Sequence, residues 1–167
     1  MSGRWSSGLL EVCSASDGRV AFGTTEEGGG GCIVGVIVVG YVPKAEGRAA
    51  LRLAAEEAKL RNASLVVVNS HRGGREFDRD DAVEAEQQLE QIRSELKAAG
   101  VEHEVRQLVR GMDPAEDLIN VAGEVSADFI VIGLRRRSPV GKLILGSNAQ
   151  RILLDAPCPV LAVKAAE

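Results

Sequence analysis

"ADFIVIGLRRRSPVGKLILGSNAQRILLDAPCPVLAVK", residues 127–164, carries the alternation that decides the fold. It opens on ADFIVIG (127–133), a continuous apolar run that reads as a strand buried on both faces. SNAQRILLDA (147–156) then reads as a helix, with Ser147 as N-cap and Gln150 completing a capping box. CPVLAVK (158–164) is a further strand. Between the first strand and the helix lie Arg135, Arg136, Arg137 and Lys142, in a chain whose net charge is -4. Such a connection is either an ordinary solvated loop or one shaped to hold an anion.

The same rhythm extends upstream. CIVGVIVVG (32–40) and ASLVVVNS (63–70) are two more buried-strand runs. GRAALRLAAEEAKLRN (47–62) is rich in Ala and Leu, with charges on one side, and predicts a helix. DDAVEAEQQLEQIRSELKAAG (80–100) sets Ala85, Leu89, Ile92 and Leu96 at helical spacing, with Gly100 placed to close it. VEHEVRQLV (101–109) alternates with period two, the pattern of a half-exposed strand. DPAEDLINVAGEV (113–125) starts a helix with Asp113 at the N-cap, Pro114 at the first helical position and Glu116 completing a capping box. Five strands alternating with four helices predict a single α/β domain over 32–167, a parallel sheet with helices on both faces.

At 167 residues the chain suffices for one domain with a full core. Hydrophobic residues at 45% and charged residues at 26% are ordinary for a soluble globular protein. Aromatics at 3%, with the negative net charge, exclude a stacking platform or basic surface for nucleic acid. Cys13, Cys32 and Cys158 form neither a disulfide framework nor a metal pair, and Cys158 reads as a structural thiol. No run approaches the roughly 20 apolar residues of a membrane span, and no secretory signal is apparent. The expectation is a cytoplasmic protein. Residues 1–31, rich in Gly and Ser and ending in four glycines, read as a flexible tail, or as translation from an upstream start.

In a parallel sheet of this kind, ligands bind beyond the carboxyl ends of the strands, where strand order reverses. Two connections qualify: GYVPKAEG (40–47), and the arginine-rich stretch that ends in Gly146-Ser147 at a helix start. Free N–H groups at a helix start, with the positive end of its dipole, suit phosphate. Other motifs fail. Gly141-Lys142 lacks the glycine and the Ser or Thr of a P-loop, since position 136 is Arg and position 143 is Leu. No GxGxxG follows a strand, His71 and His103 stand alone, and no metal cluster or catalytic triad is suggested.

VVGYVPKAEGRAAL, GMDPAEDLINVA and LILGSNAQRILLDAPCPVLAVK together resemble the universal stress protein family, over residues 35–164. The resemblance implies a Rossmann-like domain with strand order 3-2-1-4-5, a homodimer through the last strand, and in many members ATP binding. Its nucleotide pattern, G-x2-G-x9-G-[ST], falls on Gly133, position 136 and Gly146-Ser147. The implied nucleotide-binding set is Gly40, Tyr41, Val42, Ser70, Gly133, Arg136, Gly146, Ser147 and Asn148. The ligand would be ATP or a related adenine nucleotide, with Mg only alongside the nucleotide. Two positions depart from the pattern: Arg136 replaces the second glycine, and Val42 stands where ATP-binding members carry Asp. Either the arginines supply by side chain what the glycine supplied by backbone, or Arg136 obstructs the site. A nucleotide-binding stress-response or regulatory protein is the leading reading. A dimeric interaction module acting through partner proteins without nucleotide is the second. Weak ATPase activity is the least supported, since no general base or metal-holding carboxylate is evident near the anion corner.

Overall fold

The central strand is Val36–Gly40, whose three middle residues are buried on both faces as the apolar run predicts. The structure is a computed structural model that describes residues 12–14, 20–22, 35–70, 79–108, 113–135 and 145–165. In chain order the elements are β1 (Val12–Ser14), β2 (Val20–Phe22), β3 (Val36–Gly40), α1 (Ala45–Arg61), β4 (Ser64–Ser70), α2 (Arg79–Ala98), β5 (His103–Leu108), α3 (Pro114–Glu124), β6 (Phe129–Leu134), α4 (Ser147–Asp155) and β7 (Val160–Lys164). β1 and β2 form a short antiparallel pair. The rest of the segment read as a tail lies outside the described residues.

The main sheet has the order β5-β4-β3-β6-β7, and all four of its pairings are parallel. Counting only these strands, that is 3-2-1-4-5, the order implied by the resemblance. Val39 is paired with Val67 on one side and Val131 on the other. Strand alternation divides the core into two layers. Ile37, Val39, Leu65 and Val67 point toward α1 and α2, meeting Ala50, Ala54, Leu89, Ile92 and Leu96. Val38, Val66, Val68, Ile130 and Ile132 point the other way, toward Leu118, Val121 and Ala122 of α3 and Ile152 of α4. The buried face of α1 is made of Gly47, Ala50, Leu51, Ala54 and Ala58, mostly small residues that let the helix lie close to the sheet.

The expected helix ends hold with shifts of a residue or two. Gly100, at φ 69, closes α2. α1 begins at Ala45 rather than Gly47, with Lys44 extended before it. The edges differ: β5 is half-buried along most of its length, whereas β7 leaves Leu161, Ala162 and Lys164 exposed. Among the described residues no helix is long and apolar enough to cross a membrane.

Candidate functional site

Strand order reverses on either side of β3, which has β4 as one neighbour and β6 as the other. A crevice opens there at the carboxyl ends of the strands, as doubly wound sheets require. A cavity of about 130 Å³ occupies it, walled by Gly40, Tyr41 and Val42 after β3, by Val68 and Ser70 of β4, and by Ile132 and Gly133 of β6. Pro114, Ala115 and Leu118 close it from α3, and Asn148, Ala149 and Ile152 from α4. A larger groove of about 410 Å³ runs between α1 and α2, away from the strand ends of β4 and β6.

Six of the nine residues expected from sequence thus meet in one wall: Gly40, Tyr41, Val42, Ser70, Gly133 and Asn148. Gly146 and Ser147 stand at the start of α4, next to Asn148 but outside that wall. Arg136 lies outside the described residues, as do Arg137, Lys142 and His71, so the arginine-rich connection is described only at Arg135, which is exposed.

The cap of α4 corrects the sequence reading. Gly146, not Ser147, is the N-cap: its backbone is extended (φ -66, ψ 154), with no side-chain cap hydrogen bond. Its carbonyl accepts the Gln150 N–H at 3.0 Å, the first hydrogen bond of the helix. Ser147 is therefore already inside the first turn, where its hydroxyl is not positioned as a cap. The consequence is chemical. The first N–H groups of a helix have no intrahelical acceptor, and here Gly146 at the N-cap has no side chain to cover them. They present donors and a positive dipole end beside the cavity.

The start of α3, on the same cavity, is finished in the other way. The Asp113 carboxylate accepts the Ala115 N–H at 3.1 Å, with Pro114 at the first helical position, as the sequence predicts. Arg151 of α4 reaches across to Asp113 at 3.4 Å and Glu116 at 3.3 Å, joining the two helix starts.

Gly133 has a structural reason beyond the nucleotide pattern. A Cβ built on it would overlap the Glu46 carbonyl of α1, so only glycine lets β6 and α1 approach this closely. Val42 is 41% exposed at the rim and offers the cavity an apolar surface. Asn69, buried beside Ser70, donates its amide to the Tyr41 carbonyl at 3.1 Å and so holds the turn after β3 against β4.

Sequence reasoning missed one buried charge. Asp117, in the first turn of α3, is 3% exposed and accepts the Ser70 hydroxyl at 2.6 Å. Nothing in the local pattern signals this, because the pair is 47 residues apart and exists only once α3 packs on β4. The α3 wall of Pro114, Ala115 and Leu118 was missed for the same reason. Cys158 fits its structural reading: it is half-buried, and burial together with the nearby Asp128 charge pushes its thiol pKa up, away from the reactive thiolate. His103 sits on β5 with its Nδ1 2.8 Å from the Val101 carbonyl. Among the described residues no group of three or more His, Cys, Asp or Glu side chains could hold a metal ion.

Known proteins match this arrangement. The sequence profile of the Universal stress protein family covers residues 34–164. A Universal stress protein of Mycolicibacterium smegmatis is 45% identical over 129 residues, which span 77% of this chain and 97% of that protein. The universal stress protein from Archaeoglobus fulgidus solved in complex with dAMP is 38% identical, with a TM-score of 0.64 over 79% of this chain and 99% of its own. A universal stress protein solved in complex with cAMP is 26% identical, with a TM-score of 0.62 over 79% of this chain and 98% of its own. Family profile and relatives agree, and the chain belongs to the universal stress protein family.

Proposed function

We propose that this protein is a stress-response or regulatory protein that binds an adenine nucleotide at the carboxyl ends of β3, β4 and β6. The observation that carries the reading is the start of α4, which has no side-chain cap and adjoins a cavity at the topological switch point. Phosphate would take the N–H groups of Gly146, Ser147 and Asn148, and the nucleoside would lie over Gly40, Tyr41, Val42, Gly133 and Ser70. The relatives that carry dAMP and cAMP support an adenine nucleotide, and ATP is the favoured form, with Mg arriving only with the nucleotide. The cavity is smaller than the roughly 300–1,000 Å³ of a pocket that encloses a whole drug-sized ligand. A nucleotide here therefore projects beyond it.

Thermal unfolding with AMP, cAMP, ATP and ATP with Mg tests the reading. A nucleotide at 100 times its Kd should stabilise the protein by about 2.7 kcal/mol. No stabilisation by any of them at millimolar concentration would overturn it. Arg136→Gly and Arg136→Ala then separate the roles of that residue: obstruction predicts that both tighten binding, and side-chain contact predicts that both weaken it.

The exposed face of β7 favours a second reading, a dimeric module that acts through partner proteins and does not bind nucleotide. β7 is an edge strand, whose unpaired backbone edge can take another strand, and Leu161 on it is 38% exposed. Dimerisation and nucleotide binding are compatible, and sedimentation of the Leu161→Lys variant tests the former alone.

A further inference from the structure

We infer that Asp117 is a positioning residue that makes the cavity select adenine over hypoxanthine, acting through Ser70; this rests on the adenine nucleotide reading above. Ser70 ends β4 and lines the cavity, whereas Asp117 lies behind it, outside the cavity wall. The Ser70 hydroxyl donates to Asp117 at 2.6 Å, the length of a charge-assisted O–H···O⁻ bond. Asp117 is 3% exposed and stands in the first turn of α3, where the positive end of the helix dipole favours a carboxylate.

A carboxylate only accepts, and a serine hydroxyl has a single proton. With that proton committed to Asp117, Ser70 can show the cavity only the lone-pair side of its oxygen. A ligand group that donates is welcome there, and one that accepts meets lone pair against lone pair. The ligand's direction follows from the sheet. On the nucleotide reading phosphate takes the start of α4, while Ser70 at the end of β4 and Gly133 on β6 wall the cavity from opposite sides of β3, strands two apart being about 10 Å from each other. Ser70 therefore faces the base end. Adenine carries an amino group at its 6-position, a donor, while hypoxanthine carries an oxo group, an acceptor. A site built to accept from the amino group rejects the oxo base because the mismatch leaves buried polar groups unpaired.

Calorimetry with AMP and IMP, which differ at this position, reads the effect as a ratio of affinities. The unaltered protein should prefer AMP by roughly tenfold, the scale of one unsatisfied polar group. Ser70→Ala should bring the ratio close to one. Asp117→Ala and Asp117→Leu should do likewise by removing the acceptor and releasing the Ser70 proton toward the cavity, and either folded variant suffices to read it. A purely structural role for Asp117 would lower the melting temperature or weaken both nucleotides together, leaving the ratio intact. The proposal is overturned if AMP and IMP bind the unaltered protein equally. It is also overturned if the preference survives in Ser70→Ala, or in every folded Asp117 variant. Failure of both nucleotides to bind the unaltered protein is a different result: it removes the reading of the cavity itself.

Discussion

At the start of α3 the Asp113 side chain accepts the Ala115 N–H, Pro114 removes one donor outright, and Arg151 reaches the Asp113 and Glu116 carboxylates. At the start of α4, on the same cavity, Gly146 provides a carbonyl for Gln150 but no side chain for the N–H groups. Both helices begin where an anion would profit from the dipole. In α3 that advantage is used internally, by Asp113, Glu116 and the buried Asp117. In α4 the first turn has no acidic residue. One helix start is finished by side chains for stability, and the other carries no side-chain cap from its N-cap residue. A site for anions is made as much by the residues that are absent as by those present.

The anchoring of α3 gives the largest expected effect. Leu118 is 3% exposed and packs between the sheet and the cavity. Leu118→Ala should cost about 2–5 kcal/mol in urea denaturation, through lost burial and a widened cavity. A cost below about 1 kcal/mol would mean that α3 settles onto the sheet again, and the wall it provides would not be fixed.

Removing the cap sharpens the contrast between the two helices. Asp113→Ala should cost roughly 0.5–2 kcal/mol, since the Ala115 N–H loses its acceptor and Arg151 loses one of its partners. Ser147→Ala should change stability by no more than about 0.5 kcal/mol, because that exposed hydroxyl makes no cap. If the serine substitution cost as much as the aspartate one, Ser147 would be the cap. The open start of α4 would then be lost.

The error over Ser147 shows where local reasoning stops. Ser is a better N-cap than Gly by intrinsic preference, so Ser147 with Gln150 three residues on reads as a capping box. Which residue actually caps depends on the angle at which the chain enters the helix, and here the carbonyl of Gly146 takes the first hydrogen bond. Asp113 was legible because Pro114 fixes the first helical position independently. Gly133 was legible as a glycine of the nucleotide pattern, but its contact with Glu46 was not, since the two residues are 87 positions apart (133 − 46).

By itself the sequence, in which the β1–β2 pair of the segment read as a tail was not foreseen, determined the element order from β3 onward, the parallel sheet, the layering of helices on both faces and the approximate address of the site. These follow from apolar runs, helical spacing and the short connections between them, all local or periodic quantities. Its longer motifs also carried the family. Only the tertiary structure decided which side chains meet across the crevice. It brought the α3 wall against β4, set Asp117 behind Ser70 and left the start of α4 uncapped. Contacts of this kind join residues distant in the chain, and their geometry is set by how α3 and α4 settle on the sheet, where a shift of one residue exchanges a capped helix start for an open one.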